Sequence, residues 1–394
     1  MNLFHYLVIL TLDMNFSLID TQSGLDRMTE DLFREKIIAF DIECASNLHH
    51  YINRVCLFQF AARGNVFVVD VLKDLDLTHI KRILEDGAIE IVMHDTDFDL
   101  RSLDRDYGWR PHNLFDTLQA ARLCGHKEFG LSALLEKHFG TKGSKKFQRA
   151  DWTIRPLPRD MLEYAAADVI QLEELRDLLA KQLEKLGRMA WARARFDQCE
   201  EKRFQPDERP LFARVKKARE ACNGRELAIV NEFSLTRDVI ARELDLPHFM
   251  VMGDATLIDL AKARPRTIPE IVNRRGLHPA CKGKYAGLLV ESVSKGLKAP
   301  ELSWPRFKHG ERQHDYSPSL FNALKEWRTK YAQELTLDPD LILSMNSLRQ
   351  LAGGKDVDEV LSAEPVLTWR GEDIKFSLTE VLSKFLLQKH KHHT

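Results

Sequence analysis

Acidic residues stand at short, regular spacings in three separate stretches of this 394-residue chain. Asp41 and Glu43 are two residues apart in an apolar run, so both carboxylates would point to one face of a β-strand. Asp99 follows another apolar run, and Asp168 lies four residues after Tyr164, which would place these two on one face of a helix. Each stretch alone is commonplace, since a solvated strand face, a helix-capping acid and a surface pair all have these patterns.

The four carboxylates together predict more than each stretch alone. Carboxylate oxygens are ligands that Mg²⁺ and Mn²⁺ prefer, and four of them could hold two ions about 4 Å apart for phosphoryl transfer. One ion would activate the attacking water, and the other would stabilise the leaving 3′-oxygen. Tyr164 would orient the water, because a phenol with an ordinary pKa near 10 is a poor base at neutral pH. Asp97 competes with Asp99 for a place in this site.

A layered α/β domain would position these residues. Apolar runs predict strands at 16–20, 37–43, 55–61, 65–70 and 89–93. Apolar residues at helical spacing predict helices at 24–35, 77–86, 98–108, 116–124 and 131–139, and a long helix at 158–186. A three-strand meander followed by alternating elements is typical of a sheet with helices on its faces.

The order of the motifs resembles that of the DEDD-type 3′–5′ exonucleases of the tyrosine subclass, and most closely the ribonuclease D family. The matching segments are Asp41-x-Glu43, His94-x4-Asp99, 100–108, 113–117, 131–140, 146–157 and Tyr164-x3-Asp168. The resemblance runs from about residue 16 to the end of the chain. It implies an RNase H-like mixed sheet flanked by helices and catalytic roles for the four carboxylates and Tyr164. It also implies metal-dependent hydrolysis that releases nucleoside 5′-monophosphates from RNA 3′ ends. The stretch CASNLHHY at 44–51 departs from the family pattern.

A basic loop between the second and third motifs is a candidate substrate contact. It contains Lys145, Lys146, Phe147, Gln148 and Arg149, and Trp152 follows. Cations and aromatic rings can contact phosphates and stack on single-stranded bases.

Two other interpretations of this region stay open. The loop could be a solvated connector, and Trp152 could belong to the core. His94 could likewise contact the scissile end or simply end a buried strand.

Charge is distributed unevenly along the chain. The total of 58 Lys+Arg and 59 Asp+Glu gives a formal net charge of −1, but residues 211–300 have 16 basic and 10 acidic residues, a net of +6. Residues 1–210 have a net charge of −6 and residues 301–394 of −1. A basic module beside an acidic, metal-binding one suits an enzyme that holds a polyanion.

An internal repeat lies in the second half of the chain. Residues 236–244 match 327–335, and 254–261 match 345–352, all at an offset of 91, which predicts two copies of one helical module. The first copy resembles the HRDC domain, named for helicases and ribonuclease D, and the second is a degenerate, more acidic copy. The candidate RNA-holding residues of the first copy are Arg214, Lys216, Lys217, Arg219, Arg274, Arg275, Lys282 and Lys284.

These patterns predict five segments. They are an N-terminal extension (1–13), the exonuclease domain (14–206), an HRDC domain (211–298), a second HRDC-like domain (316–388) and a disordered tail (389–394).

Composition limits the setting. The six cysteines are far apart with no CxxC pair, and no apolar run approaches the ~20 residues of a membrane span. We therefore expect a monomeric protein of the reducing cytoplasm.

The expected function is that of an exoribonuclease that trims 3′ ends of structured RNA such as tRNA precursors. A DNA exonuclease and a non-catalytic RNA-binding scaffold are the alternatives.

Overall fold

The computed structural model describes residues 15–45, 48–305, 316–362, 364 and 366–391. The predicted extension at 1–13 lies outside this range, as do residues 392–394 of the predicted tail. Residues 389–391 belong to the last helix, so that part of the tail prediction is wrong. Within the described ranges, no helix combines the length and the apolar character that crossing a membrane requires.

A six-stranded mixed sheet forms the centre of the N-terminal domain. Its strands are β1 (Ser17–Ile19), β2 (Ile37–Cys44), β3 (Val55–Ala62), β4 (Asn65–Asp70), β5 (Glu90–Met93) and β6 (Leu114–Asp116), in the spatial order β1-β4-β3-β2-β5-β6. The predicted meander is present, because β2, β3 and β4 pair antiparallel, while β1, β5 and β6 join in parallel. Strand β6 was not predicted, because three residues are too few to show an alternation.

Helices cover both faces of this sheet. They are α1 (Gln22–Leu32), α2 (Thr78–Leu84), α3 (Asp97–Tyr107), α4 (Thr117–Leu123), α5 (Leu131–Phe139), α6 (Arg159–Ala167), α7 (Leu172–Lys185) and α8 (Met189–Glu200). Apolar residues of α1, α2 and α3 pack on one face, and those of α4 to α8 pack on the other. Because side chains alternate along β2, Ile38, Phe40 and Ile42 enter the first core, and Ala39 enters the second.

The long helix predicted at 158–186 is wrong as a single element. Helix α6 ends at Ala167 with Asp168 as its C-cap, and turns at 168–171 lead into α7 at Leu172. Buried apolar residues continue through the turn, Val169 among them, so the helical period alone does not reveal the break.

The first helical domain has a core of its own. Its elements are a 3₁₀ turn (Leu211–Arg214), α9 (Ala218–Ala221), α10 (Gly224–Leu244), α11 (His248–Val251), α12 (Asp254–Ala263), α13 (Ile268–Val272), α14 (Pro279–Lys282) and α15 (Ala286–Lys298). Helix α10 is closed at its start by a capping box between Asn223 and Glu226 and packs closely against α15. Phe233 of α10 is fully buried in the core of this domain.

The second helical domain shares its core with the catalytic domain. Its helices are α16 (Pro318–Glu334), α17 (Pro339–Ile342), α18 (Met345–Ala352), α19 (Val357–Leu361) and α20 (Leu367–Lys391). The ring of Trp369 stacks on the fully buried Trp191 of α8 with centroids 5.0 Å apart. Arg188 lies over the Trp369 ring at 4.6 Å, and its guanidinium donates to the Leu123 and Leu335 carbonyls.

The two helical domains follow the predicted 91-residue offset closely. Helices α11 and α17 coincide under it, and α12 and α18 begin at equivalent residues. The equivalent buried arginines Arg237 and Arg328 each donate to the backbone carbonyl 15 residues further on, at 3.1 and 2.7 Å. Arg237 also pairs with Asp254 at 2.7 Å, whereas the equivalent residue beside Arg328 is Met345, whose Sδ lies 3.2 Å away. The second copy therefore lacks the carboxylate that pairs with the buried arginine of the first.

Candidate active site

Three carboxylates meet where β2 faces the end of α6. One oxygen each of Asp41, Glu43 and Asp168 lies within 4.8 Å of the other two. The alternation of β2 brings Asp41 and Glu43 to the sheet face that α6 and α7 cover. The turn after α6 leaves Asp168 at the C-cap of that helix, one turn beyond Tyr164.

Asp99 lies in the first turn of α3, beside this cluster. It is buried, and its charge raises the pKa of both Asp41 and Glu43. The buried Asp116 carboxylate fixes the β5–α3 junction, since it accepts hydrogen bonds from the Thr96 backbone at 3.0 Å and the Thr96 hydroxyl at 2.9 Å.

Asp97 does not occupy the same position. It forms a partly exposed ion pair with Arg101 one turn along α3, and Lys202 lies 3.7 Å away. The structure thus places Asp99, and not Asp97, beside the carboxylate cluster.

The cluster concentrates negative charge in a poorly solvated place. Burial raises the pKa of Asp41, and the charges of Asp99, Asp168 and Glu43 add to the rise. Burial likewise raises the pKa of Glu43, and it raises that of Asp168 to about 7. Buried like charges at this spacing need a cation to remain ionised together at neutral pH.

The residues fit a divalent metal ion. Hard carboxylate oxygens are the donor set that Mg²⁺ and Mn²⁺ take. Gln59 lies directly across the sheet from Asp41 and is fully buried. Within the described chain, neither its amide oxygen nor its amide nitrogen has a hydrogen-bond partner, so a polar occupant at this position would satisfy them.

Tyr164 is suited to positioning and not to proton abstraction. Burial raises the pKa of its phenol, and the nearby charges of Asp168, Glu43 and Asp41 raise it further. The hydroxyl therefore stays protonated at neutral pH and can donate a hydrogen bond. The Tyr164 ring is held by Phe147, edge-on at 5.7 Å, and by Trp152 at 6.1 Å.

Trp152 is not available to a substrate. Only 2% of it is exposed, so the prediction that it stacks on a base is wrong, and the core interpretation holds. Its segment is anchored by Arg155, which binds the Asp70 carboxylate through two hydrogen bonds of 2.7 Å and donates to the Trp152 carbonyl. Trp152 instead supports the ring of Tyr164.

His94 is a neutral group at the end of β5. Its Nδ1 lies 2.8 Å from the Thr117 hydroxyl, and burial lowers its pKa to about 4. An uncharged imidazole cannot pair with a phosphate, so any contact of His94 with the scissile end would be a neutral hydrogen bond.

A cavity of about 280 Å³ opens beside Tyr164 and Asp168. The basic loop lines it through Ser144, Lys146 and Phe147. Lys146 forms an ion pair with Asp160 at 2.6 Å, whereas the other predicted contacts Lys145, Gln148 and Arg149 are exposed.

Phe98 was missed by the sequence interpretation. It is 50% exposed and immediately precedes Asp99. An aromatic residue between two acids at a helix start was the available signal, but the sequence interpretation used Phe98 only as an apolar position of the helix predicted at 98–108. A ring so placed offers a face to a base.

The predicted RNA-holding residues of the first helical domain differ in availability. Lys216, Lys217, Arg219, Arg274 and Arg275 are exposed, and Lys282 is partly exposed. Arg214 donates to the backbone carbonyls of Asp207 and Arg209, and Lys284 forms an ion pair with Glu243. Both charged groups therefore already have partners within the protein.

Comparison with known proteins agrees with this architecture. Residues 16–184 match the 3′-5′ exonuclease family model, and residues 226–293 match the HRDC domain model. A ribonuclease D from Gluconacetobacter diazotrophicus is 29% identical over 339 residues, which is 85% of this chain and 86% of that protein.

Solved structures agree as well. The Escherichia coli RNase D structure, described as that of an exoribonuclease involved in structured RNA processing, matches with TM-score 0.66 and 25% identity over 94% of this chain and all of that one. The catalytic core of RRP6 from Trypanosoma brucei matches with TM-score 0.66 and 25% identity over 73% of this chain and 80% of that one.

The sheet, the acidic site and the two helical domains thus define a 3′–5′ exonuclease with an HRDC module. This chain belongs to the ribonuclease D family. We refer to its first helical domain as the HRDC domain and to the second as the HRDC-like domain.

Proposed function

We propose that this protein is a metal-dependent exoribonuclease that removes nucleoside 5′-monophosphates one at a time from the 3′ ends of structured RNA, such as tRNA precursors. The observation that carries this proposal is the convergence of the carboxylates of Asp41, Glu43 and Asp168, with Asp99 beside them. Two bound divalent ions would supply the activated water and stabilise the leaving 3′-oxygen. The four acids are their proposed ligands.

The chain's own groups complete the site. The protonated Tyr164 hydroxyl donates a hydrogen bond that orients the water. Phe98 offers a stacking surface for a base, and Lys145, Gln148 and Arg149 reach solvent beside the cavity, where the RNA backbone would pass. Because His94 is neutral, it donates or accepts without adding charge.

The HRDC domain gives the preference for structured RNA. Its exposed cations, Lys216, Lys217, Arg274 and Arg275, would hold the folded part of the RNA while the 3′ end reaches the acidic site. Bacterial relatives named ribonuclease D support RNA over DNA as substrate.

One assay tests this function directly. Stem-loop RNA with a 3′ extension, a diribonucleotide and single-stranded DNA are incubated with Mg²⁺, Mn²⁺ or a chelator. We expect nucleoside 5′-monophosphates from both RNAs, and Asp41→Asn lowers the rate by at least about a thousandfold because it removes a metal ligand. Faster hydrolysis of DNA would reject the substrate assignment, and activity in chelator would reject the metal mechanism.

Metal binding is also measurable without activity. Because the pKa of Asp41 is raised in the folded protein, its carboxyl group lowers the free energy of unfolding at pH values above the ordinary aspartate pKa. At neutral pH, Asp41→Asn should therefore stabilise the metal-free protein, while it reduces the rise in melting temperature caused by Mn²⁺. Saturating metal at about 100 times its Kd should add about 2.7 kcal/mol to the wild type. Asp97→Asn is the matched control, since Asp97 lies outside the cluster and should leave rate and metal response unchanged.

A further inference from the structure

The segment His49–Tyr51, where the sequence departs from the family pattern, lies between two parts of the molecule. It belongs to the catalytic domain, between β2 and β3. His50 places Nδ1 2.8 Å from Asp245 Oδ2 in the HRDC domain and Nε2 3.0 Å from Asp151 Oδ1 of the catalytic domain. One imidazole therefore bridges carboxylates 94 residues apart in sequence.

The contact on the HRDC side has several hydrogen bonds. The Tyr51 backbone donates to Asp245 at 3.2 Å, and the Tyr51 hydroxyl donates to Asp238 at 2.9 Å. His248 Nε2 lies at hydrogen-bond distance, 2.8 Å, from the Asp238 carboxylate, and the Arg242 guanidinium lies over the Tyr51 ring, 5.5 Å from its centroid. The Tyr51 ring itself packs against the HRDC core.

The contact on the other side leads to the active site. His49 Nε2 lies 2.9 Å from the Arg149 carbonyl. His50 Nε2 lies within hydrogen-bond distance of both the Asp151 carboxylate and the Thr153 hydroxyl. Asp151 and Thr153 flank Trp152, whose ring supports Tyr164. The path from the HRDC domain to Tyr164 thus consists of direct contacts through one short segment.

Building on the proposed function, we propose that His50 is a positioning residue that ties the HRDC domain to the segment behind Tyr164, so that RNA held by the HRDC domain meets a correctly placed active site. Its two carboxylate partners, Asp245 and Asp151, are both acceptors, and the Thr153 hydroxyl lies 2.9 Å from Nε2. Only the imidazolium can donate to both carboxylates at once, because a neutral imidazole has a single N–H.

The surroundings favour that charged form. Burial lowers the pKa of His50, but the hydrogen bonds to Asp245 and Asp151 outweigh this effect, and the net pKa is raised. The pair of hydrogen bonds from His50 to Asp245 and Asp151, which we call the tie, is therefore complete below the ordinary histidine pKa. It weakens as pH rises through the raised pKa of His50. The charged groups facing the segment from both domains are Asp151, Asp245, Asp238, Arg54, Arg242 and His248.

The test compares two substrates of the full-length protein in Mg²⁺. A diribonucleotide occupies only the acidic site, whereas a 3′-extended stem-loop also requires the HRDC domain. His50→Ala and Asp245→Asn should each raise KM for the stem-loop about fivefold, the loss expected for one partly exposed, charge-assisted hydrogen bond. The kcat/KM for the diribonucleotide should stay within about twofold. The double variant should be no worse than either single variant, because both remove the same tie.

The pH profile separates positioning from simple support of the fold. In the wild type, the ratio of kcat/KM for the stem-loop to that for the diribonucleotide should fall as pH rises through the raised pKa of His50. In His50→Gln, which cannot be protonated, the ratio should be flat. His112→Gln is the matched control, since His112 pairs with Glu200 inside the catalytic domain.

Two results would overturn the proposal. One is an equal loss on both substrates in His50→Ala; the other is additive effects of His50→Ala and Asp245→Asn. A wild type without activity on either RNA would instead reject the proposed function. Amide exchange gives an independent readout, because Asp245→Asn should increase exchange of residues 149–153 in the other domain, and unchanged exchange would contradict the tie.

Discussion

The HRDC and HRDC-like domains are two copies of one helical module, yet they contact the catalytic domain through different kinds of interaction. The HRDC-like domain continues the catalytic core, with Trp369 stacked on the buried Trp191. The HRDC domain keeps its own core, and His50 and Tyr51 connect it through hydrogen bonds and the packing of one partly buried ring, that of Tyr51. Buried apolar contacts are hard to separate, whereas polar ties are individually weak and respond to pH.

The two copies also differ in charge and in the partner of the equivalent buried arginine. The HRDC-like domain is acidic overall and shares the catalytic core, and it lacks the carboxylate that pairs with the buried arginine of the HRDC domain. The HRDC domain keeps that pair, presents the basic surface and is joined through a titratable group. We therefore expect the HRDC-like domain to contribute mainly to stability and the HRDC domain to hold the RNA.

The largest expected effect concerns the shared core. Trp369→Ala should lower the free energy of unfolding of the catalytic domain by about 3 kcal/mol, because it removes an aromatic stack and leaves a cavity. Urea unfolding of the catalytic domain, monitored through the loss of diribonucleotide hydrolysis, measures this decrease.

The matched change lies in the separate core. Phe233→Ala removes a fully buried ring from the HRDC domain. It should destabilise that domain by a similar amount, about 3 kcal/mol, and leave diribonucleotide hydrolysis intact. Loss of that hydrolysis in Phe233→Ala would show that the two domains are not attached differently.

The next effect concerns the buried arginine of the HRDC domain. Asp254→Asn leaves Arg237 without its anionic partner and should destabilise this domain by about 2 kcal/mol, a reduced figure because Asp254 is partly exposed. Thermal unfolding observed through the HRDC domain is the measurement, and a change below 0.5 kcal/mol, about the size of an ordinary surface effect, would contradict it.

A smaller effect is expected at the basic surface. Arg274→Glu with Arg275→Glu should raise KM for the 3′-extended stem-loop about tenfold and flatten its dependence on salt concentration, because two exposed cations are lost. The control is Lys325→Glu with Lys330→Glu, at exposed positions of the HRDC-like domain. An equal effect of the control pair would mean that both copies hold RNA.

The smallest effect is a gain. Met345→Asp gives Arg328 the partner that Arg237 has in the other copy. Burial lowers the pKa of Arg328, so its charge is poorly compensated in the fold. Restoring a carboxylate should raise the free energy of unfolding by about 1 kcal/mol, as measured in urea. A lower free energy of unfolding would show that Arg328 packs better against methionine than against a carboxylate.

Local spacing in the sequence determined most elements and the chemistry of the site. Alternation in β2 fixes Asp41 and Glu43 to one face, and the four-residue spacing joins Tyr164 to Asp168. The offset of 91 residues predicted the repeated module, in which Arg237 and Arg328 stand at equivalent positions. These features depend on neighbours along the chain, so they can be read without a structure.

Only the tertiary structure decided what depends on segments distant in sequence. Packing at the β5–α3 junction distinguishes Asp99 from Asp97, and the core takes up Trp152. Likewise, the sequence predicted two similar modules, but which surface each module buries, and therefore which one shares the catalytic core, follows from the way distant chain segments meet. Burial is a property of the assembled fold, and residue spacing does not encode it.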